Sequence, residues 1–302
     1  MTPCDTESPA QPHGDIIDAD GIPLSALVCE VPRPRAVVLA LHGGGTTATY
    51  FDCPGRPDLS LLRLGAALGF TVIALDRPGY GASEAYADKV RDPARRVDLG
   101  FAALDALLAH RPGGAGVFLL AHSAGCELAM RMAADERGRD LIGLEIAGTG
   151  LEHNRSAIDT LDTAERDAYG RPLRPRGLRK VLWGPSRLYA PEVYDDAAIA
   201  GPSPLYEAEA RHWVDEFPQL GALVGAPVQV SLGDHETVWR SGPAELDRLA
   251  DLFTGSPRAR GHEQAGAGHN LSLGLTARAY HLRVLSFAEE CAVLRKSEVG
   301  RR

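Results

Sequence analysis

Basic residues are in deficit. The chain of 302 residues carries 32 Lys and Arg against 40 Asp and Glu, a formal net charge of −8. Nucleic acids and anionic membranes are held by basic patches, so neither is expected as a partner. Long apolar runs are also missing. No stretch reaches the roughly 20 residues that a membrane-crossing helix needs, so no membrane insertion is expected. Cysteine is sparse, with five residues at positions 4, 29, 53, 126 and 291 and no C-x-x-C spacing. Scattered and odd in number, they offer neither a disulfide framework nor a zinc site, and they suit a reducing compartment. The first residues, Met-Thr-Pro-Cys-Asp-Thr-Glu, hold no basic segment followed by an apolar run. No signal peptide is expected, and the chain reads as cytoplasmic. No G-x-G-x-x-G follows a strand and no G-x-x-x-x-G-K-[ST] occurs, which leaves nucleotide binding unsupported. Internal repeats and low-complexity tracts are absent, and no metal or cofactor is expected.

What is present is ordinary for a globular protein: 44% apolar and 24% charged residues. The length fits one large domain, or a domain with an insertion. Residues 1–13 are polar and read as a loose segment. Gly14 to Pro32 reads as a hairpin with its turn at Asp20-Gly21. Apolar strands are expected at Val37–Leu41, Thr71–Leu75, Val117–Ala121, Leu141–Ala147 and Val228–Leu232, with a further strand at Arg258–Glu263. Helical patterns lie between them. One starts at Asp92-Pro93, an N-cap followed by proline in the first helical position. Strands that are apolar throughout and alternate with helices predict an α/β fold with a mostly parallel sheet covered on both faces. The pattern breaks between 148 and 221. Charge rises, strand-like runs vanish, and Trp183, Tyr189, Tyr194, Tyr206, Trp213 and Phe217 concentrate there. That is too long for a connection, and it reads as a mainly helical insertion. The core thus divides into 14–147 and 222–294, with a frayed tail at 295–302.

Five stretches carry chemistry. The first is Val117–Ala129, where a strand runs through Ser123, between Ala121 and Gly125, straight into a helix. Such a sharp turn pushes the Ser123 hydroxyl out at the top of a sheet, before the first N–H groups of the helix. The others are His42-Gly43-Gly44-Gly45 after an early strand and the Asp76-Arg-Pro-Gly-Tyr-Gly-Ala-Ser83 loop. Gly233-Asp234-His235-Glu236 follows a late strand, and Gly266-Ala-Gly-His269-Asn270 lies near the end. In this order and at this spacing, the chain from about Val37 to about Leu294 resembles the α/β-hydrolase superfamily, in its serine esterase and lipase style. The early motifs match the G-x-S-x-G elbow, with alanine in its first small position, the HGGG turn and the D-x-P-G-x-G-x-S loop.

The resemblance implies the roles. Ser123 is the nucleophile, a weak one unless a base takes its proton. His269 is that base, since it alone of ten histidines follows a late strand in a glycine-rich loop. A carboxylate must orient it. Asp234 and Glu236 both follow the right strand, and the family's usual offset of three from the glycine at the strand's end favours Glu236 with Asp234 as the alternative. The N–H groups of Gly44 and Ala124 are the expected oxyanion donors. His42 and His122 read as packing or anchoring groups. The insertion is implied to be a cap over the site, with Trp183, Tyr189 and Trp213 as its candidate pocket walls. The expected activity is hydrolysis of a small acyl compound, a carboxylic ester, lactone or thioester, through an acyl-enzyme. A non-hydrolytic member that binds, cyclises or acyl-transfers a small molecule is the alternative. The oligomeric state is left open.

Overall fold

The computed structural model describes residues 10–161, 177–194 and 197–299. Eight strands form one sheet in the order β1-β2-β4-β3-β5-β6-β7-β8. They are β1 (His13–Ala19), β2 (Ile22–Cys29), β3 (Val37–Leu41), β4 (Thr71–Leu75), β5 (Val117–His122), β6 (Gly143–Ala147), β7 (Val228–Gly233) and β8 (Ala259–Gln264). The first two make the expected antiparallel hairpin. Its turn residues Asp20 and Gly21 both have positive φ, 52° and 81°, as a two-residue hairpin turn requires. β2 meets β4 antiparallel, and every later pairing is parallel.

Alternation along the strands divides the core in two. Val37, Leu39 and Leu41 face one apolar layer, while Val38 and Ala40 face the other. The first layer is covered by α2 (Pro93–Leu108), α3 (Gly125–Ala134) and α8 (Pro243–Ala250), the second by α1 (Leu61–Ala67) and α9 (Ala277–Val299). Each buried leucine contributes about 1.5–3 kcal/mol of apolar burial. Asp92 caps α2 as expected, accepting the Ala94 N–H at 3.0 Å. At the other end of the chain α9 runs on to Val299 instead of ending near Leu294. Its last residues are helix formers, with no glycine before Gly300 to stop it. Residues 1–9 and 300–302 of the two expected loose ends lie outside the described residues.

Between β6 and β7 the described residues form only short helices, 3₁₀ turns and isolated bridges: α4 (Arg155–Leu161), α5 (Leu178–Trp183), α6 (Tyr206–Ala210) and α7 (Phe217–Leu223). The part of the expected cap at 162–176 and 195–196 lies outside the described residues. α7 crosses the expected boundary at 221 and packs on α3. This packing corrects one expectation about the pocket walls. Trp213 stacks on Phe217, ring centres 5.2 Å apart, and Phe217 meets Phe253 edge-on in the main core layer. It therefore fills the core. Trp183 and Tyr189 instead pack edge to face, 5.1 Å apart, in the opposite layer.

The chain leaves β3 for β4 on one side and returns through β5 on the other. A parallel sheet offers its binding crevice where strand order reverses, outside the carboxyl ends of the two strands. Here those ends deliver Gly43-Gly44 and Ser123.

Candidate active site

Ser123 sits in the tight turn between β5 and α3 with φ of 50°, a left-handed conformation that is uncommon outside glycine. Two backbone bonds hold it there. Its N–H donates to the Ala147 carbonyl at 2.8 Å, and its own carbonyl accepts the Cys126 N–H at 2.9 Å. Glycine at 125 is a packing requirement, because a Cβ would lie 2.5 Å from the His42 carbonyl oxygen. α3 can thus start directly against the end of β3, and its N-terminal dipole faces the serine.

His269 and Glu236 meet Ser123 in one line. The Ser123 hydroxyl lies 3.0 Å from His269 Nε2, and His269 Nδ1 lies 3.0 Å from both carboxylate oxygens of Glu236. With Nδ1–H donating to the carboxylate, Nε2 is left to accept from the hydroxyl. His269 and Glu236 are both buried. Burial pushes the Glu236 carboxyl upward, but the adjacent His269 and the N–H groups of Val238 and Trp239 outweigh it. The net direction is below the ordinary glutamate value, so the group is held ionised.

Asp234 is the exposed neighbour with a different task. Its two oxygens accept the N–H groups of Gly266 and Ala267 at 2.9 and 3.0 Å. It thereby folds the histidine loop onto the loop after β7. The approach is so close that a Cβ on Gly233 would overlap the Ala267 carbonyl oxygen. The two acids thus divide the work, one on the imidazole and one on the loop that carries it.

On the opposite side, Gly44 follows β3 and Ala124 follows Ser123. Among the described residues neither backbone N–H donates to a protein acceptor. The Gly43 carbonyl is fully engaged. It accepts from His42 Nδ1 at 2.8 Å, from Thr46 Oγ1 at 3.1 Å and from Arg77 at 3.1 Å. The carbonyl and the following N–H of a trans peptide point opposite ways. Three donors on the Gly43 oxygen therefore turn the Gly44 N–H away from them. His42 is anchored in turn by the Arg77 backbone N–H, which donates to Nε2 at 3.1 Å. Burial, then the Arg77 charge, drives its pKa well below the usual histidine value, so it is neutral. His122 is neutral for the same first reason. Its Nε2–H donates to the His269 carbonyl at 2.9 Å, and its ring stacks on Tyr50. Both histidines anchor backbone, as expected.

Sequence reasoning passed over Arg77 and Glu207. Arg77 is fully buried and pairs with Glu207 of α6 at 2.5 Å. Burial disfavours its charge, but the carboxylate more than offsets this, and its pKa rises. The available signal was an arginine two residues after the buried β4 strand, where a charge needs a partner. Cys53 and Tyr80 are both buried. Tyr80 accepts the Gly45 N–H at 3.2 Å. Among the described residues no group of His, Cys, Asp and Glu could hold a metal ion, and no helix is long and apolar enough to cross a membrane.

Solved structures share this architecture. The N-acyl homoserine lactonase AidH, as a mutant in complex with N-hexanoyl homoserine, aligns with a TM-score of 0.67 at 15% identity over 93% of this chain and 98% of that one. A highly thermostable carboxyl esterase from Bacillus coagulans gives 0.63 at 17% identity, over 95% and 100%. The thioesterase domain from the curacin biosynthetic pathway gives 0.59 at 19%, over 91% and 99%. At these identities the likeness establishes the fold. No curated protein sequence matches the chain. The family model described as the alpha/beta hydrolase family matches residues 37–281, more than half of the chain, and the protein belongs to that family.

Proposed function

We propose that the protein is a serine hydrolase that cleaves a small carboxylic ester, lactone or thioester through an acyl-enzyme. The carrying observation is the line from Ser123 to His269 to Glu236, with both steps at 3.0 Å. The Ser123 oxygen attacks the acyl carbon while its proton moves to His269 Nε2. Glu236 keeps the imidazole oriented and stabilises its charged form. The N–H groups of Gly44 and Ala124 receive the oxyanion. His269 then gives the proton to the leaving oxygen or sulfur, and the tetrahedral centre collapses to acyl-Ser123. Water, activated by the same histidine, repeats the sequence and releases the acid. No step requires a cofactor or metal.

The insertion at 148–221 acts in this reading as a cap, with Trp183 and Tyr189 beside the histidine loop. The Tyr189 hydroxyl lies 3.3 Å from the Asn270 backbone N–H and accepts from it. The buried thiols of Cys29, Cys53, Cys126 and Cys291, none in a disulfide, suit a reducing, cytoplasmic setting. Related folds named as lactonase, carboxyl esterase and thioesterase support the substrate class without choosing within it. A fluorophosphonate is expected to label the wild-type protein at Ser123, and a rate panel across esters, thioesters and lactones of graded acyl length then selects the substrate. No labelling together with no turnover on any member would hand the site to the non-hydrolytic alternative.

A further inference from the structure

The oxyanion turn is braced from outside the core. A strap of the insertion, residues 198–207, lies along it. Thr46 and Ala200 form a bridge, the Thr47 N–H donates to the Ile199 carbonyl at 3.1 Å, and the Gly201 N–H donates to the Gly45 carbonyl at 3.0 Å. The Tyr206 hydroxyl then donates to the Pro78 carbonyl at 2.6 Å. Next to it Glu207 enters. One oxygen binds Arg77 at 2.5 Å, and the other lies where a Cβ on Gly44 would sit, 2.6 Å from that point. Arg77 has its guanidinium over the Tyr80 ring and reaches two peptides of the site. It donates to the Gly43 carbonyl at 3.1 Å and, at the limit of a hydrogen bond, to the Ala124 carbonyl at 3.5 Å.

We infer that Arg77 is a positioning residue for the Gly44 oxyanion donor, held in place by Glu207, so that the insertion sets the geometry of transition-state stabilisation. The inference rests on the serine-hydrolase reading. A guanidinium is a planar fork: Nη2 holds Gly43 and Glu207 while Nη1 reaches towards Ala124, whereas an ammonium is a single point and cannot reach all three. Glu207 shares Nη2 with the Gly43 carbonyl and keeps the buried cation paired. Among the described residues neither side chain is hydrogen-bonded to Ser123 or His269. Their effect passes through the orientation of one peptide, and a misaimed donor weakens binding of the oxyanion far more than binding of the neutral substrate.

The test uses the full-length protein, an activated ester, and a trifluoromethyl ketone whose serine adduct places an oxyanion in the same hole. Arg77→Lys is expected to lower kcat by about 10- to 100-fold with KM changed less than about threefold. Its Ki for the ketone is expected to rise by the same factor as kcat/KM falls. Glu207→Gln is expected to lose about 3- to 10-fold in kcat with the same signature, and Glu207→Asp to recover part of it. A merely structural role would not tie the ketone Ki to kcat/KM. Near-normal kcat in folded Arg77→Lys, or a loss carried by KM alone, overturns the inference. Where Arg77→Lys fails to fold, Glu207→Gln and Glu207→Asp decide by the same criteria. Fluorophosphonate labelling of wild type and Ser123→Ala separates the two levels. A labelled wild type with an unaffected Arg77→Lys or Glu207→Gln removes the brace alone, while an unlabelled wild type removes the parent reading and the brace with it.

Discussion

The two halves of the site are held by different forces. On the proton-relay side, the charges stay within the core's own loops. Glu236 is satisfied by His269 and backbone N–H groups, and Asp234 by Gly266 and Ala267. The insertion reaches the buried groups of that side through neutral atoms, such as Tyr189 and the Leu182 carbonyl on Asn270, and its charged contact with the acid loop, Glu152 with Arg240, is exposed. On the oxyanion side, the insertion delivers a charge. Arg77 and Glu207 pair in near-complete burial, with side-chain exposures of 2% and 14%. Breaking such a pair strands a desolvated ion, at a cost of about 3–5 kcal/mol in buried examples. We therefore expect the relay half to tolerate change in the insertion better than the oxyanion half does.

Removing the nucleophile is the largest test of this division, because neither half acts without it. Ser123→Ala is expected to abolish fluorophosphonate labelling and to lower ester turnover by several orders of magnitude with folding intact. Wild-type-like turnover in that variant would end the reading of both halves.

The next effect falls within the relay half. Glu236→Gln keeps the shape of the acid but loses the charge that stabilises the imidazolium, and an amide can select the wrong tautomer. We expect kcat/KM on an activated ester to fall by roughly 10² to 10⁴, with slow labelling retained because Ser123 and the oxyanion donors remain. Asp234→Asn removes acceptor strength from the loop and nothing from the imidazole, so a loss within about tenfold is expected. A reversed order of the two losses would transfer the orienting role to Asp234. Small losses in both would place that role elsewhere.

The same contrast governed what could be read from sequence. Ser123, His269 and the Glu236 loop follow apolar strands at short, fixed offsets, so each carries a local signature. So do the hairpin turn at Asp20-Gly21 and the cap of α2 at Asp92. Asp234 and Glu236 stayed unresolved because the choice depends on where two side chains two positions apart point. Arg77 and Glu207 were illegible as a pair. They stand 130 positions apart, and nothing in either neighbourhood names the other. Trp213 misled for a related reason. Aromatic density marks a buried surface without saying whether a pocket or α3 covers it. The end of α9 was misplaced: the tail from Arg295 was expected to fray, but the helix continues to Val299.

The smallest expected effect concerns stability. Glu145 on β6 is fully buried, and accepts from Gln229 of β7 at 2.8 Å and from the Tyr280 hydroxyl of α9 at 3.2 Å. Burial pushes its carboxyl up from 4.5 to about 8, with those donors only partly opposing. Between these values the folded protein keeps a proton that the unfolded chain has lost. Native protein then binds more protons than unfolded protein, so stability falls as pH rises, by at most about 1.4 kcal/mol per pH unit. The contribution is flat below the unfolded value, where both states are protonated, and flat again above about 8, where both are ionised. Glu145→Gln titrates in neither state and, like the protonated acid, keeps one acceptor oxygen and presents a donor at the other position. Its urea midpoint is therefore expected to gain on that of the wild type steadily from pH 5 to pH 8, while kcat at each pH stays close to wild type because Glu145 touches no reacting group. The buried charge of the oxyanion half gives no such slope, since Arg77 keeps its proton throughout this range. Parallel midpoints for the two proteins across the window would mean that Glu145 is ionised in the fold.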